Sequence, residues 1–238
     1  MPRPFEHWHV LPHDKLTEVD TGILTVVGRI RMPLGSFPRR MTVVRLHDAR
    51  LVVWSPIALD ENEMATIEAL GRPAFLVVPN DHHRLDAKPW KTRYPALQVA
   101  APAGARANVD QVIRVDTTFP DFGDADVRMV VVAGTREREA ALLVHRPSGT
   151  TIVLNDLVGN VRDATGLAGF MFRLAGFAGP EPRIPRVVKR LPVDDARALR
   201  EQLLEWAGLE SLRRILVSHG DPIVEDPRLT LRRLSESL

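Results

Sequence analysis

Short apolar runs rich in β-branched residues recur along most of this chain, and they restrict it to folds that are built on β-sheets. The clearest is the continuous run Ala-Phe-Leu-Val-Val at 74–78, which is typical of a strand buried on both faces. The proline-rich segment 33–38 is predicted to separate the first strand from the next. Other runs predict strands at 22–32, 41–46, 51–54, 98–101, 112–115, 127–132, 141–145, 151–154 and 215–217.

Helical segments lie between and after these strands. Asp60 is a predicted N-cap for a helix over 61–70 that ends at Gly71. Further helices are predicted at 89–94, 166–177, 194–206 and from 226 onward. This order predicts an α/β fold of two β-layers flanked by helices, an αββα sandwich. Because no repeat or linker interrupts the chain, residues 1–238 are predicted to form a single domain.

The composition excludes several kinds of site and partner. Of the 238 residues, 45% are hydrophobic and 26% are charged, as in a globular protein with an apolar core. The chain has no cysteine, which excludes disulfides, cysteine nucleophiles and thiolate metal ligands. The net charge is only +2 and the basic residues are scattered, so we expect no nucleic-acid partner. Without a signal-peptide pattern or an apolar run of about 20 residues, we expect a cytoplasmic protein with no membrane contact.

Polar side chains follow three of the predicted strands. The segment 80–86 comes directly after the buried run 74–78, Asn155 and Asp156 come after 151–154, and His219 follows 215–217. In layered α/β folds, functional groups collect at the ends of strands. Nitrogen and oxygen ligands that converge from separate strands can hold zinc or iron without thiolates.

The order of several motifs resembles a known family. The segment 51–60 (Leu-Val-Val-Trp-Ser-Pro-Ile-Ala-Leu-Asp) is followed by a helix, by Val-Pro-Asn-Asp-His-His at 78–83, by Trp90 and by Tyr94-Pro95. In this order the motifs resemble an uncharacterised family, a domain of unknown function, within the metallo-β-lactamase-like superfamily. The resemblance covers roughly residues 21–225 and implies the fold of that superfamily.

The resemblance also implies a metal site, but an incomplete one. After the buried strand the superfamily has the motif His-x-His-x-Asp-His, which holds two metal ions. On this chain Asn80 takes the place of the first His, His82 the second, Arg84 the Asp and Leu85 the last His. Only His82 matches the motif.

Two further ligands of the superfamily have counterparts here and one has none. A later His should fall near 134–135, where the chain has Gly-Thr. Asp156 resembles the bridging Asp, and His219 before a glycine resembles the final His. The metal ligands implied by the resemblance are therefore His82, Asp156 and His219, with His83 and Asp86 as substitutes.

Side-chain direction and charge refine this prediction. Because successive side chains diverge in extended backbone, His82 is expected to face the pocket and His83 to point the other way. Arg84, where a ligand carboxylate is expected, would place a permanent positive charge beside any divalent ion, at a cost of several kcal/mol, so at most one divalent ion, zinc or iron, is expected.

Two functions remain open at this point. In the first, the chain is a metal-dependent hydrolase-like enzyme acting on a small-molecule ester, amide or phosphoester, in which Asp156 both ligates the metal and orients the attacking water. In the second, the chain keeps the scaffold without the chemistry, and it binds a small anion through Arg84 or a protein partner. The sequence does not indicate the oligomeric state.

Overall fold

Two β-sheets form the centre of the molecule. The computed structural model describes residues 3–32, 35–162, 173, 176, 178–186, 188 and 193–238. The first sheet has six strands in the order β1-β2-β3-β4-β5-β6, and these are Thr17–Asp20, Ile23–Met32, Gly35–Arg45, Arg50–Trp54, Arg72–Val77 and Gln98–Ala100. The second has four strands in the order β10-β9-β8-β7, where β7 to β10 are Val127–Val131, Ala140–Arg146, Gly149–Asn160 and Leu212–Gly220.

Helices cover the outer face of each sheet. In the described part of the chain they are α1 (Glu61–Leu70), α2 (Ala87–Arg93), α3 (Ala103–Val109), α4 (Ala196–Ala207) and α5 (Pro227–Glu236). The Asp60 carboxylate accepts hydrogen bonds from the backbone N–H groups of Asn62 and Glu63, which confirms the predicted cap of α1. None of the described helices is long and apolar enough to cross a lipid bilayer.

Side chains that alternate along each strand divide the core into three layers. On β4, Val52 and Trp54 point between the sheets, where they join Phe75 from the first sheet and Leu142 and Leu216 from the second. The intervening Val53 faces outward, into a second apolar cluster with α1, α2 and α3. A third cluster packs α4 and α5 on the outer face of the second sheet. The predicted αββα sandwich is therefore confirmed.

Several predicted elements differ from the observed ones. The segment 112–115 is a turn and loop rather than a strand, because the Asp110 carboxylate accepts the N–H of Val115 while Ile113 and Val115 bury their side chains from irregular backbone. The predicted break at 33–38 is too long, since β3 begins at Gly35 and pairs with β2 from there. The predicted helix 166–177 lies outside the described residues apart from Arg173 and Gly176.

The two strands that carry the predicted ligands are longer than the sequence indicated. Asp156 lies within β9 and His219 within β10, instead of in loops after them. These strands pair in parallel, and their register shifts between the pair Val217–Leu154 and the pair His219–Gly159. The shift leaves residues 155–158 of β9 opposite a single residue of β10. This local irregularity releases Asp156 from the regular ladder beside His219.

Candidate metal centre

Three ligand atoms converge from the turn that follows β5 and from the strands β9 and β10. His83, Asp156 and His219 each offer one ligand atom, and these atoms all lie within 4.8 Å of one another. Asp156 Oδ1 lies 3.1 Å from His83 Nε2 and 2.7 Å from His219 Nε2. The side chains of the two histidines are 6% and 5% exposed, whereas that of Asp156 is 16% exposed. Of the three groups, solvent reaches the Asp156 carboxylate most.

His219 is held by three residues of β3. Its Nδ1 lies 2.7 Å from the carbonyl oxygen of Pro38, and a carbonyl can only accept, so Nδ1 carries the proton of this hydrogen bond. The Phe37 ring stacks on the imidazole at 4.2 Å between centroids. The buried Arg40 guanidinium donates to the carbonyls of Val217 and Gly220, on either side of His219, at 2.9 Å each. With Nδ1 occupied, Nε2 is the ring atom that faces Asp156.

Asn80 connects the loop after β5 to the Asp156 carboxylate. Its side-chain Nδ2 donates to Glu139 Oε2 at 2.8 Å and to Asp156 Oδ2 at 3.0 Å. Its Oδ1 accepts the backbone N–H groups of His82 at 2.9 Å and His83 at 3.2 Å. An amide can do both because it carries donors and an acceptor. Asn80 therefore contacts two of the three converging residues, through the side chain of Asp156 and through the backbone of His83.

The protonation states differ among the buried groups of the cluster. Burial would raise the pKa of the Asp156 carboxyl, but the facing His83 and His219 rings outweigh it and hold this pKa well below its usual value. Burial lowers the pKa of His83, against the opposing charge of Asp156. Burial and the Asp156 charge together raise the pKa of Glu139 well above 4.5. At neutral pH Asp156 is thus ionised and His83 neutral, and the raised pKa of Glu139 favours its protonated form.

Replacing Glu139 with glutamine is expected to flatten the pH dependence of stability. Because its folded pKa is raised, the stability contributed by protonated Glu139 is complete below about pH 4.5 and is lost as pH rises through the folded pKa. Glutamine still accepts from Asn80 and stays neutral. In chelator-treated protein, urea unfolding should show that the free energy of unfolding of Glu139→Gln rises relative to that of the wild type, by up to about 1.4 kcal/mol per pH unit above pH 4.5. The exposed Glu137→Gln is the control, and a pH-independent difference between Glu139→Gln and the wild type would contradict the expectation.

The directions predicted for the two adjacent histidines are reversed in the structure. His82 lies outside the cluster: its side chain is 51% exposed and its Nε2 is 3.8 Å from the carboxylate of its neighbour Asp81. His83 points into the cluster instead. The extended-backbone rule does not apply here, because residues 81–83 form a turn closed by the Asn80 side chain.

Arg84 and Asp86, the other candidates of this loop, have structural partners. The Arg84 guanidinium donates to the carbonyl of Asn108 and, at 3.3 Å, to Gln111 Oε1, so it fastens the loop to the end of α3. The fully buried Asp86 pairs with Arg39. Neither belongs to the converging group of ligand atoms.

Sequence reasoning missed two polar residues that touch this cluster. Ser55 follows β4 and its Oγ lies 2.6 Å from His83 Nδ1. Its position one residue beyond a strand was a usable signal, because β4 and β5 are parallel and end at the same edge of the sheet. Glu139 precedes β8 within a loop rich in charged residues, and no local pattern distinguishes it from its exposed neighbours.

A second group of ligand types, His47, Asp124 and Asp126, lies within 4.8 Å in the described chain. The two ring nitrogens of His47 face different carboxylates, Asp124 at 3.3 Å and Asp126 at 3.4 Å, so one ion could use only one of them. Asp124 also accepts the backbone N–H groups of His47 and Asp126. These contacts join the loop of His47 to the loop of Asp124 and Asp126, and we call this group the His47 junction.

The fold is shared with solved structures of metallo-β-lactamases. FIM-1 from Pseudomonas aeruginosa in its mono-zinc form has a TM-score of 0.62 and 12% sequence identity, with 96% of each chain covered. DIM-1 exposed to ceftazidime has a TM-score of 0.65 and 12% identity, over 96% of this chain and 99% of that one. A metallo-β-lactamase from Erythrobacter litoralis with β-mercaptoethanol in the active site has a TM-score of 0.63 and 13% identity, over 94% and 96%.

These likenesses show that the chain has the metallo-β-lactamase fold. No protein-family model and no curated protein matches the sequence. Its membership of the uncharacterised family that its motifs resemble stays a prediction.

Proposed function

We propose that this chain, a protein of the metallo-β-lactamase fold, is a metal-dependent hydrolase whose single divalent ion is held by His83, Asp156 and His219. The observation that carries the proposal is the convergence of three ligand atoms, from the turn after β5 and from the strands β9 and β10, within 4.8 Å of one another. The mono-zinc form of FIM-1 supports it by showing one zinc in a protein of this fold. The proposed ion is zinc or iron.

The chemistry of the donors fits one such ion. Two imidazoles and one carboxylate are a common ligand set of catalytic zinc, which leaves a position for water or substrate, and also of non-haem iron. His83 and Asp156 are in the forms that ligands need, one neutral and one ionised. His219 has its Nδ1 hydrogen-bonded to a carbonyl, which is the outer contact that metal-binding histidines usually make.

The contacts around the cluster favour one ion over two. A second ion would need ligands from the loop after β5, but the Asn80 amide donates to two carboxylates and Arg84 is bonded to the end of α3. Leu85 is buried in the core. An N–H donor and a guanidinium repel a cation, and His83 is the residue of this loop that joins the converging ligand atoms.

The groups around the cluster suit the hydrolysis of a small-molecule ester, amide or phosphoester. A divalent ion at this point would polarise the scissile bond and lower the pKa of water. Asp156 is the most exposed of the three side chains, and its Oδ2 is fixed by Asn80, so its carboxylate can orient a water at the solvent side. Glu139 bonds to the same Asn80, and its raised pKa disfavours a second negative charge beside Asp156.

Metal analysis of the gently purified protein tests this proposal. We expect about one equivalent of zinc or iron per chain, removed by a strong chelator together with any esterase, amidase or phosphoesterase activity on chromogenic substrates. Asp156→Asn should lose both, whereas Asp126→Asn, at the His47 junction, should keep both. Less than a tenth of an equivalent, with no uptake on adding zinc or iron, would contradict the proposal and favour a scaffold without metal chemistry.

A further inference from the structure

We propose that Ser55 is a positioning residue that makes Nε2 of His83 the ligand atom, by bonding to the other ring nitrogen. This inference rests on the proposed function, since it concerns how His83 would meet a metal ion. Ser55 has no counterpart among the ligand positions of the motif, and it enters the cluster only through its contact with His83 at 2.6 Å.

The two histidines of the cluster have different outer partners. His219 Nδ1 faces the Pro38 carbonyl, which only accepts, so its proton stays on Nδ1. His83 Nδ1 faces a hydroxyl, which both donates and accepts. A neutral imidazole carries one proton, and Nε2 of His83 lies 3.1 Å from Asp156 Oδ1, a strong acceptor. Without an acceptor at Nδ1, that proton would sit on Nε2 and block its lone pair.

The Ser55 hydroxyl removes this conflict. When it accepts from Nδ1–H, the lone pair of Nε2 is directed toward Asp156 and His219, and the ring can serve as a ligand. When it donates to Nδ1, the proton lies on Nε2 and bonds to Asp156, which suits the metal-free protein. Between the two states the proton changes from Nε2 to Nδ1 of His83, the Ser55 hydroxyl changes from donor to acceptor, and the charge of the ring is unchanged.

The backbone at Ser55 supports a role for its side chain. Ser55 has φ +57°, in the left-handed region where glycine or asparagine is the usual residue. Such a conformation costs about 1 kcal/mol or more in a residue with a Cβ. The N–H of Ser55 bonds to the Val77 carbonyl at 3.0 Å, which fixes it beside the end of β5. At a position suited to glycine, serine supplies the hydroxyl that His83 contacts.

Two substitutions separate positioning from stability. Ser55→Ala removes the hydroxyl and keeps the backbone strain, whereas Ser55→Gly removes the hydroxyl and relieves the strain. We expect both variants to bind zinc about 10- to 100-fold more weakly than the wild type, the range for losing an outer partner of a metal-bound histidine. Unfolding temperatures should separate them, with Ser55→Gly the more stable. Ser235→Ala, at an equally buried serine that bonds to the Arg232 carbonyl on α5, should bind zinc like the wild type.

Nitrogen NMR of histidine-labelled full-length protein gives a readout independent of affinity. In the zinc-loaded wild type we expect the His83 proton on Nδ1. In the metal-free protein, Ser55→Ala should shift the His83 Nδ1 signal while leaving His219 Nδ1 in place. Zinc affinity that follows stability, falling in Ser55→Ala and restored in Ser55→Gly, would overturn the proposal.

The two proposals can fail separately. If the wild type takes up no zinc or iron, the proposed function fails. The contact of Ser55 with His83 is then tested by the metal-free spectra. A His83 Nδ1 signal that does not shift in Ser55→Ala overturns the role of this contact. If the wild type binds one zinc but Ser55→Ala and Ser55→Gly bind it equally well, the proposed function stands and the role of Ser55 is refuted.

Discussion

Replacing His83 with alanine should remove stoichiometric zinc from the protein, whereas the same replacement of its neighbour His82 should leave one equivalent bound. His83 supplies one of three ligand atoms, and only two neighbours within 4.8 Å would remain. The loss in zinc affinity should exceed about 100-fold, because the outer partner of a ligand histidine is by itself worth about 10- to 100-fold. His82, with its side chain 51% exposed, contributes no ligand atom to the cluster.

This pair of variants is closely matched. Both remove one imidazole from the same turn, so a general effect on the loop would appear in both. Competition with a zinc-binding dye, at a temperature where both variants are folded, measures the two affinities. Loss of zinc from His82→Ala with retention in His83→Ala would show that the turn adopts the opposite arrangement in solution.

The second large effect is expected in the core, where Asp86→Asn should destabilise the protein by about 3–5 kcal/mol, the usual cost of breaking a buried ion pair. The Asp86 side chain is 0% exposed and that of Arg39 is 6% exposed. Besides Arg39, Asp86 accepts the backbone N–H of Ala58 at 3.2 Å. Without the carboxylate, a guanidinium stays buried with no counter-charge. Urea unfolding of chelator-treated protein measures the loss.

Two controls define this effect. In the exposed pair Arg197–Glu201 on α4, Glu201→Gln should lower the free energy of unfolding by less than about 0.5 kcal/mol. The double replacement Arg39→Met with Asp86→Leu should recover most of the stability, because apolar residues of similar volume often replace a buried ion pair without loss. Asp86→Asn should still bind one zinc where it is folded. A change below 1 kcal/mol, or loss of zinc from folded protein, would contradict the structural role of Asp86.

The fold could be predicted from the sequence because its strongest signals are local. The run 74–78 and the capped helix 61–70 are fixed by their own residues, and both are present as β5 and α1. The prediction of a strand at 112–115 is wrong because buried apolar residues occur in loops as well as in strands. The lengths of β9 and β10 depend on pairing between distant segments, which local pattern does not reveal.

The candidate site could be predicted in part, for a related reason. Asp156 and His219 were located because each follows an apolar core segment at the same edge of the fold. The choice between His82 and His83 depended on a turn that the Asn80 side chain closes, a contact that spacing alone does not encode. Ser55 and Glu139 reach the cluster from segments 28 and 59 residues away from their partners His83 and Asn80, so only the folded chain reveals them.

Anomalous diffraction at the zinc absorption edge, on crystals of the zinc-loaded protein, locates the bound ion. The proposed metal centre should give one anomalous peak per chain, about 2.0–2.2 Å from Nε2 of His83, Nε2 of His219 and a carboxylate oxygen of Asp156. A zinc-loaded crystal with no peak among these three side chains, or with its peak at His82, would contradict it.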